Sequence, residues 1–161
     1  VARDALALGR MTAADTGVEV QTEIETGLPN VHGDPVELLQ VVLNLIVNAC
    51  ESMKYVSRPR RQLLLRVRRR SLHEVEVVVS DTGVGLPTGT SSRLFEPFFT
   101  TKQNGLGLGL AISRTIATAH GGRLWGENNS SGGATFRLVL PAEGTSFLAR
   151  PVATLAVEGD A

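Results

Sequence analysis

Residues 34–53 read DPVELLQVVLNLIVNACESM, and this stretch decides the fold. Asp34 offers a side-chain oxygen where a helix needs a cap. Pro35 suits the first helical position, because its missing N–H has no intrahelical partner there. Glu37, three residues after the cap, stands where it closes a capping box. The helix so announced runs from about residue 35 into the mid-fifties. From residue 38 onward it is apolar almost without interruption, which predicts burial nearly all round. The interruptions are Gln40, Asn44 and Asn48, four apart, so three amides lie in one line on one face. They are either core amides bonded to neighbouring backbone or the lining of a polar cavity. A buried amide left unpaired costs roughly 1–3 kcal/mol, and three in line favour the cavity. Amide oxygens also suit Mg²⁺, which takes one or two protein oxygens and completes its shell with phosphate and water.

Working outward, residues 2–15 space Ala5, Leu6, Leu8 and Met11 on one side of a helical wheel and predict a leading helix. Val18, Val20, Thr22 and Ile24 alternate with Glu19, Gln21, Glu23 and Glu25, a half-buried strand ending at Gly27-Leu28-Pro29-Asn30. On the other side, residues 61–70 and 73–80 predict a hairpin joined around Ser71-Leu72, with Val75, Val77 and Val79 on one face. Residues 81–109 are rich in glycine, proline and threonine and too long for an ordinary connection, so this loop is functional. Residues 106–119 have helical apolar spacing and stop at His120-Gly121-Gly122, where glycine suits a left-handed cap. Strands near 123–128 and 134–140 follow, joined by a tight turn. Helix, strand, helix, two strands, loop, helix, two strands is the order of an α+β protein. The predicted architecture is a two-layer α/β sandwich whose mixed, mostly antiparallel sheet is covered on one face by helices. One domain is expected over residues 1–140, with 141–161 a linker, edge element or tail.

A chain of 161 residues is long enough for one core. Sixteen basic and sixteen acidic residues cancel, so no overall field draws the chain to nucleic acid or to an anionic membrane. Arg58, Arg60, Arg61, Arg66, Arg68, Arg69 and Arg70 alternate in part with Leu63, Leu65 and Val67, which reads as a solvated strand face. No aromatic residues interleave with them to stack on bases, and no nucleic-acid partner is expected. The single cysteine, Cys50, sits in the apolar helix and points to a reducing compartment, the cytoplasm. No apolar run approaches the ~18 residues of a membrane span, and Arg3, Asp4 and Arg10 interrupt any leader, so no membrane contact by this chain is expected.

Asp81-Thr82-Gly83-Val84-Gly85 follows a valine strand directly. Its carboxylate emerges at a strand end, and its glycines allow a ligand close to the backbone. By itself the segment also reads as a simple turn. Gly105-Leu106-Gly107-Leu108-Gly109 opens a helix, where free N–H groups and the positive dipole end attract phosphate. It lacks the Lys-Ser/Thr ending of a P-loop, and no βαβ unit surrounds it.

Taken in order, these pieces resemble the boxes of the sensor histidine kinase catalytic domain. Asn44-Leu-Ile-Val-Asn48 is similar to the N box, and residues 81–85 to the G1 box. Phe95-Glu-Pro-Phe-Phe-Thr-Thr-Lys102 is similar to the F box, residues 105–109 to the G2 box, and Gly132-Gly133-Ala134-Thr135-Phe136 to a last glycine motif. The F box is most like that of the nitrogen-regulation and oxygen-sensing kinases. The resemblance covers roughly residues 30–140 and implies the Bergerat ATP-binding fold shared with gyrase, MutL and a heat-shock chaperone.

The resemblance implies ATP and Mg²⁺ as cofactors. Asp81 would accept a hydrogen bond from the adenine amine, with Thr135 supporting it through a shared water and Gly83 and Gly85 beside the base. Asn48 would bind Mg²⁺, with Asn44 next to the same metal. Gly105, Leu106, Gly107, Leu108 and Gly109 would present backbone to the phosphates. Thr100, Thr101 and Lys102 would belong to a mobile lid, residues 96–106, with Lys102 reaching the γ-phosphate, and Phe98 and Phe99 would pack that lid on the domain or on an acceptor helix. Asn44, Asn48 and Lys102 would thus carry the catalysis. Where gyrase-type members have a water-activating glutamate, this chain has Asn44, which implies slow hydrolysis and transfer to a protein acceptor.

That acceptor, the resemblance implies, would be a histidine on the dimerisation and phosphoacceptor helices of a parent kinase, with a response-regulator receiver domain downstream. His32, His73 and His120 lie outside any acceptor motif and read as turn or cap residues. Glu51 stands where some members have a phosphate-binding lysine, which leaves a role for Lys54 open. A nucleotide-gated protein-binding module is the alternative function. An anti-sigma-type serine kinase shares the fold but lacks the Phe-rich F box.

Overall fold

In the computed structural model the described residues are 2–89, 93–100 and 105–143, without the side chains of residues 2, 3, 5, 6, 8 and 12. In chain order they form α1 (Ala2–Thr16), β1 (Glu19–Ile24), α2 (Pro35–Ser52), a 3-10 turn (Arg58–Arg60), β2 (Gln62–Ser71), β3 (Glu74–Asp81), α3 (Gly109–Ala119), β4 (Arg123–Asn128) and β5 (Ala134–Pro141). The sheet order is β1-β2-β3-β5-β4. β1 and β2 are parallel, because α2 carries the chain back between them, and the other neighbouring pairs are antiparallel. This is the mixed sheet and α+β sandwich expected from the order of elements.

Strand alternation sorts the sheet into two chemically different faces. Leu63, Leu65 and Val67 of β2, Val75, Val77 and Val79 of β3 and Phe136, Leu138 and Leu140 of β5 meet Leu38, Val41, Leu45 and Ile46 of α2 in one core. The opposite face is ionic. Glu76, only 2% exposed, lies 2.7 Å from Arg68 and 3.6 Å from Arg137. Arg66 pairs with Glu23 at 2.6 Å and Arg123 with Glu74 at 2.8 Å. Arg61 has a different task from its neighbours. Its guanidinium donates to the carbonyls of Thr16, Lys54 and Val56, tying the ends of α1 and α2 to the start of β2.

Four details depart from the sequence reading. First, Asp34 does cap α2, accepting from the Val36 and Glu37 N–H groups at 2.7 and 3.1 Å. Its own N–H, however, goes to His120 Nε2 at 3.0 Å rather than to Glu37. Second, α2 is not buried all round. Val36 is 70% and Val47 38% exposed, and with Leu39, Leu43 and Ile112 of α3 they line an open groove. Third, Met11 is exposed, and α1 meets α2 through small residues: an ideal Cβ on Gly9 would stand 2.8 Å from Ile46 Cδ1. The expectation for Ala5, Leu6 and Leu8 falls on side chains outside the described residues. Fourth, α3 begins at Gly109 rather than at residue 106. Gly107, at φ +67, is left-handed and cannot be helical, and its carbonyl accepts from the Phe98 N–H at 3.0 Å.

After β5, Ala142 N donates to the His73 carbonyl and Glu143 N to that of Asn30. Residues 144–161 lie outside the described residues.

Candidate functional site

Two groups of polar residues lie along α2, one at its C-terminal end and one near its middle. The first surrounds Asp81, at the inner-face end of β3 and 3% exposed. Its Oδ1 accepts from the Gly83 N–H at 2.7 Å, the Ser52 hydroxyl at 2.9 Å and the Ala134 N–H at 3.4 Å. Its Oδ2 has no donor among the described residues. Burial pushes this carboxyl above its ordinary range, while the three donors pull the other way. The outcome is a buried carboxylate with one oxygen saturated and one open, matched to a ligand N–H.

The turn after Asp81 is held from several sides. The Thr82 hydroxyl bonds the Arg60 carbonyl and accepts from Gln62 N at 3.0 Å. Gly83 has no room for a side chain, since an ideal Cβ would fall 2.0 Å from Ser52 Oγ. Gly85 is left-handed at φ +78, and beside it Asn128 pairs with the Leu86 backbone through both its amide atoms, at 2.6 and 2.9 Å. The Asn129 side chain donates to the Asp81 carbonyl at 3.0 Å.

Thr135 is not where the resemblance implies. It lies across from Ser80 in the register, on the ionic face of the sheet, and its hydroxyl bonds Ser80 at 2.8 Å and Asn129 Oδ1 at 2.6 Å. The alternation that points Ala134 and Asp81 inward points Thr135 outward, so it cannot share a water with the Asp81 carboxylate. The hydroxyl beside Asp81 comes from Ser52 instead.

At the middle of α2, the Asn44 amide nitrogen donates to Ser113 Oγ on α3 at 2.9 Å. Its Oδ1 faces the start of α3, where an ideal Cβ on Gly109 would approach it to 2.5 Å. α3 has no side-chain cap at Leu108, which leaves its first N–H groups and positive end turned toward this point. Asn48 is half-buried one turn further along, toward Ser52, and Gln40 is exposed in the groove.

The loop between β3 and α3 carries Phe95, Phe98 and Phe99. Phe95 is buried with Arg114 over its ring at 5.1 Å, and Phe99 is half-buried beneath Arg93 at 4.7 Å. Phe98 points away, 75% exposed with a left-handed backbone at φ 66. Phe99 therefore anchors the segment to the domain and Phe98 does not. Thr100, Leu106 and Gly105 are described, with Leu106 78% exposed. Thr101 and Lys102 lie outside the described residues.

Sequence reasoning missed Ser52, Ser113, Asn128 and Asn129. A signal for Ser52 exists: it continues the four-residue spacing of Gln40, Asn44 and Asn48 by one step. Ser113 stands four residues after Gly109 and is followed by the polar Arg114 and Thr115, so only the packing of α3 on α2 reveals its partner.

The family described as histidine kinase-, DNA gyrase B-, and HSP90-like ATPase matches residues 33–144. The sensor protein FixL of Bradyrhizobium diazoefficiens is 45% identical over 139 residues, which is 86% of this chain and 27% of that protein. The nucleotide-free catalytic domain of histidine kinase ThkA superposes with a TM-score of 0.76 at 29% identity, over 88% of this chain and 90% of that one. Full-length ShkA in complex with AMPPNP gives 0.74 at 28% identity, over 88% and 29%. ThkA in complex with the response regulator protein TrrA gives 0.71 at 27%, over 87% and 39%.

Proposed function

Because this chain belongs to the family of histidine kinase-, DNA gyrase B- and HSP90-like ATPases, we propose that it binds Mg-ATP and donates the γ-phosphoryl group to a histidine on the dimerisation helices of its parent kinase, which then passes it to a response-regulator receiver domain. The chain spans about a quarter of FixL, and on this reading the acceptor lies in the remainder of the parent protein.

One observation carries the reading. α2 links a buried carboxylate with one open oxygen to an uncapped, glycine-started helix end, and the interval from Asn44 to Ser52 is about 12 Å of helix at 1.5 Å per residue. That is the scale of an extended nucleoside triphosphate, with the base at Asp81 and the phosphates at α3. The residues present fit the cofactor. Asp81 Oδ2 is an acceptor awaiting a donor, as the adenine amine supplies. By the family resemblance a metal would rest on the Asn48 amide oxygen, a hard ligand of the kind Mg²⁺ takes, with phosphate and water completing the shell. Bound Mg²⁺ supplies charge neutralisation to the transferring phosphoryl group.

The chain's own residues then orient and select. Asp81 reads the base, Gly83 and Gly85 bring the backbone close to it, and the N–H groups from Gly105 to Gly109 receive the phosphates. By the resemblance, Lys102 would add a positive charge toward the γ-phosphate, with Thr100 and Thr101 as neighbours in sequence. Asn44 cannot take a proton from water at neutral pH, because its amide nitrogen is already a donor to Ser113 and its oxygen is not basic. Hydrolysis is therefore slow, and the phosphoryl group waits for a protein nucleophile.

Calorimetric titration with ATP, with and without Mg²⁺, tests the binding. Saturable binding strengthened by Mg²⁺ and weakened in Asn48→Ala supports the reading, and transfer of labelled γ-phosphate to an added dimerisation domain completes it. No binding by the unaltered, folded chain overturns it.

A further inference from the structure

We propose that Ser52 is a positioning residue for nucleobase selection: its hydroxyl fixes the Asp81 carboxylate so that only Oδ2 faces the ligand and meets the exocyclic group of the base, accepting an amine there and rejecting a carbonyl. The inference rests on the nucleotide reading above and assigns it a residue outside the boxes that the sequence displays.

Ser52 Oγ lies 2.9 Å from Asp81 Oδ1 and 2.8 Å from the Ala49 carbonyl. The hydroxyl has one proton for two acceptors, and the carboxylate is the stronger of them. Oδ1 also accepts from the Gly83 and Ala134 N–H groups, so the three donors together set the rotation of the carboxylate about its Cβ–Cγ bond. Ser52 touches the turn in two further ways. Its carbonyl accepts from Val84 N at 3.3 Å, and its Oγ occupies the space a Gly83 Cβ would need, 2.0 Å from that ideal position. The last turn of α2 is thus locked to the loop that carries Asp81.

This arrangement selects by rejection as well as attraction. A carboxylate oxygen welcomes the exocyclic amine of adenine and repels the carbonyl that hypoxanthine has at the same place. Without the Ser52 hydroxyl the anion keeps two donors, one of them long, and burial then favours the protonated carboxyl more strongly. A protonated carboxyl donates to a carbonyl, and the rejection is lost.

The test compares ATP and ITP binding to the 161-residue chain and to Ser52→Ala across a range of pH. In Ser52→Ala, ATP affinity falls about tenfold, the scale of one hydrogen bond to a charged group, and the preference for ATP over ITP narrows by a similar factor. The acid side of the ATP-binding profile moves to higher pH, a change that simple loss of packing does not produce. If the unaltered chain prefers ATP and Ser52→Ala keeps both that preference and the same acid limb, the inference is overturned and the nucleotide reading survives. If the unaltered chain binds neither nucleotide, both fall together. Should Ser52→Ala fail to fold, Ser52→Cys keeps the volume with a much weaker donor, and the same two readings are expected of it in reduced degree.

Discussion

Asn44 on α2 and Ser113 on α3 are joined by a single hydrogen bond of 2.9 Å, from the amide nitrogen to a hydroxyl on a residue that is 2% exposed. The bond sets the distance between the amide stripe and the helix end that faces it, so it belongs to both the stability and the geometry of the site.

Ser113→Ala leaves the Asn44 amide without its acceptor in a half-buried position. The expected loss is about 1–2 kcal/mol, read from chemical denaturation, together with weaker nucleotide binding as Asn44 gains rotational freedom. Unchanged stability and affinity would show that the bond holds nothing in place.

Gly109→Ala separates fold from function. A methyl group there would approach Asn44 Oδ1 to 2.5 Å, but that atom ends a flexible side chain and can move away. The helix itself favours alanine over glycine by about 0.5–1 kcal/mol. The expected result is a thermal midpoint close to that of the parent and an ATP affinity, measured by calorimetry, reduced more than tenfold.

Asp81→Asn reveals the cost of a buried anion. Burial raises the folded carboxyl above its ordinary value, so the folded state holds its proton more tightly than the unfolded chain does. The stability from that proton is complete below the unfolded value and is lost as pH rises through the folded one. The amide that replaces the carboxyl does not titrate. The stability of Asp81→Asn relative to the parent should therefore rise from acid to neutral pH, while ATP binding is lost; melting curves across that range check the first and titration the second.

His120→Ala tests the joint between helix ends. Nδ1 faces the Ile116 carbonyl at 2.8 Å and must donate, so Nε2 is free to accept the Asp34 N–H. Truncation removes that acceptor and a largely buried ring. A loss of about 2 kcal/mol is expected, with faster amide exchange in the first turn of α2 as the local signature.

The elements were legible because each is written in local chemistry. Asp34 and Pro35 mark the start of α2, the valines of β3 alternate, and the glycines after His120 stop α3. The order of those elements implied the sandwich, and the boxes around Asn44, Asp81 and Gly105 pointed to the candidate site. Thr135 shows where this legibility ends. Its place in a motif is a matter of sequence, but the face it occupies depends on the register of β5 against β3, which turns it toward Ser80 and away from Asp81.

Ser52, Ser113 and His120 teach the same lesson, since each acquires its role from a partner between 29 and 86 residues distant. By itself the sequence determined the helices, the strands, the glycine turns and the residues that mark the family, because propensity, capping and periodicity act over a few residues. Only the tertiary structure decided which oxygen of Asp81 is saturated, which hydroxyl stands beside it and which helix end meets Asn44. Those are consequences of packing α2 and α3 on one face of a sheet, and no local pattern records them.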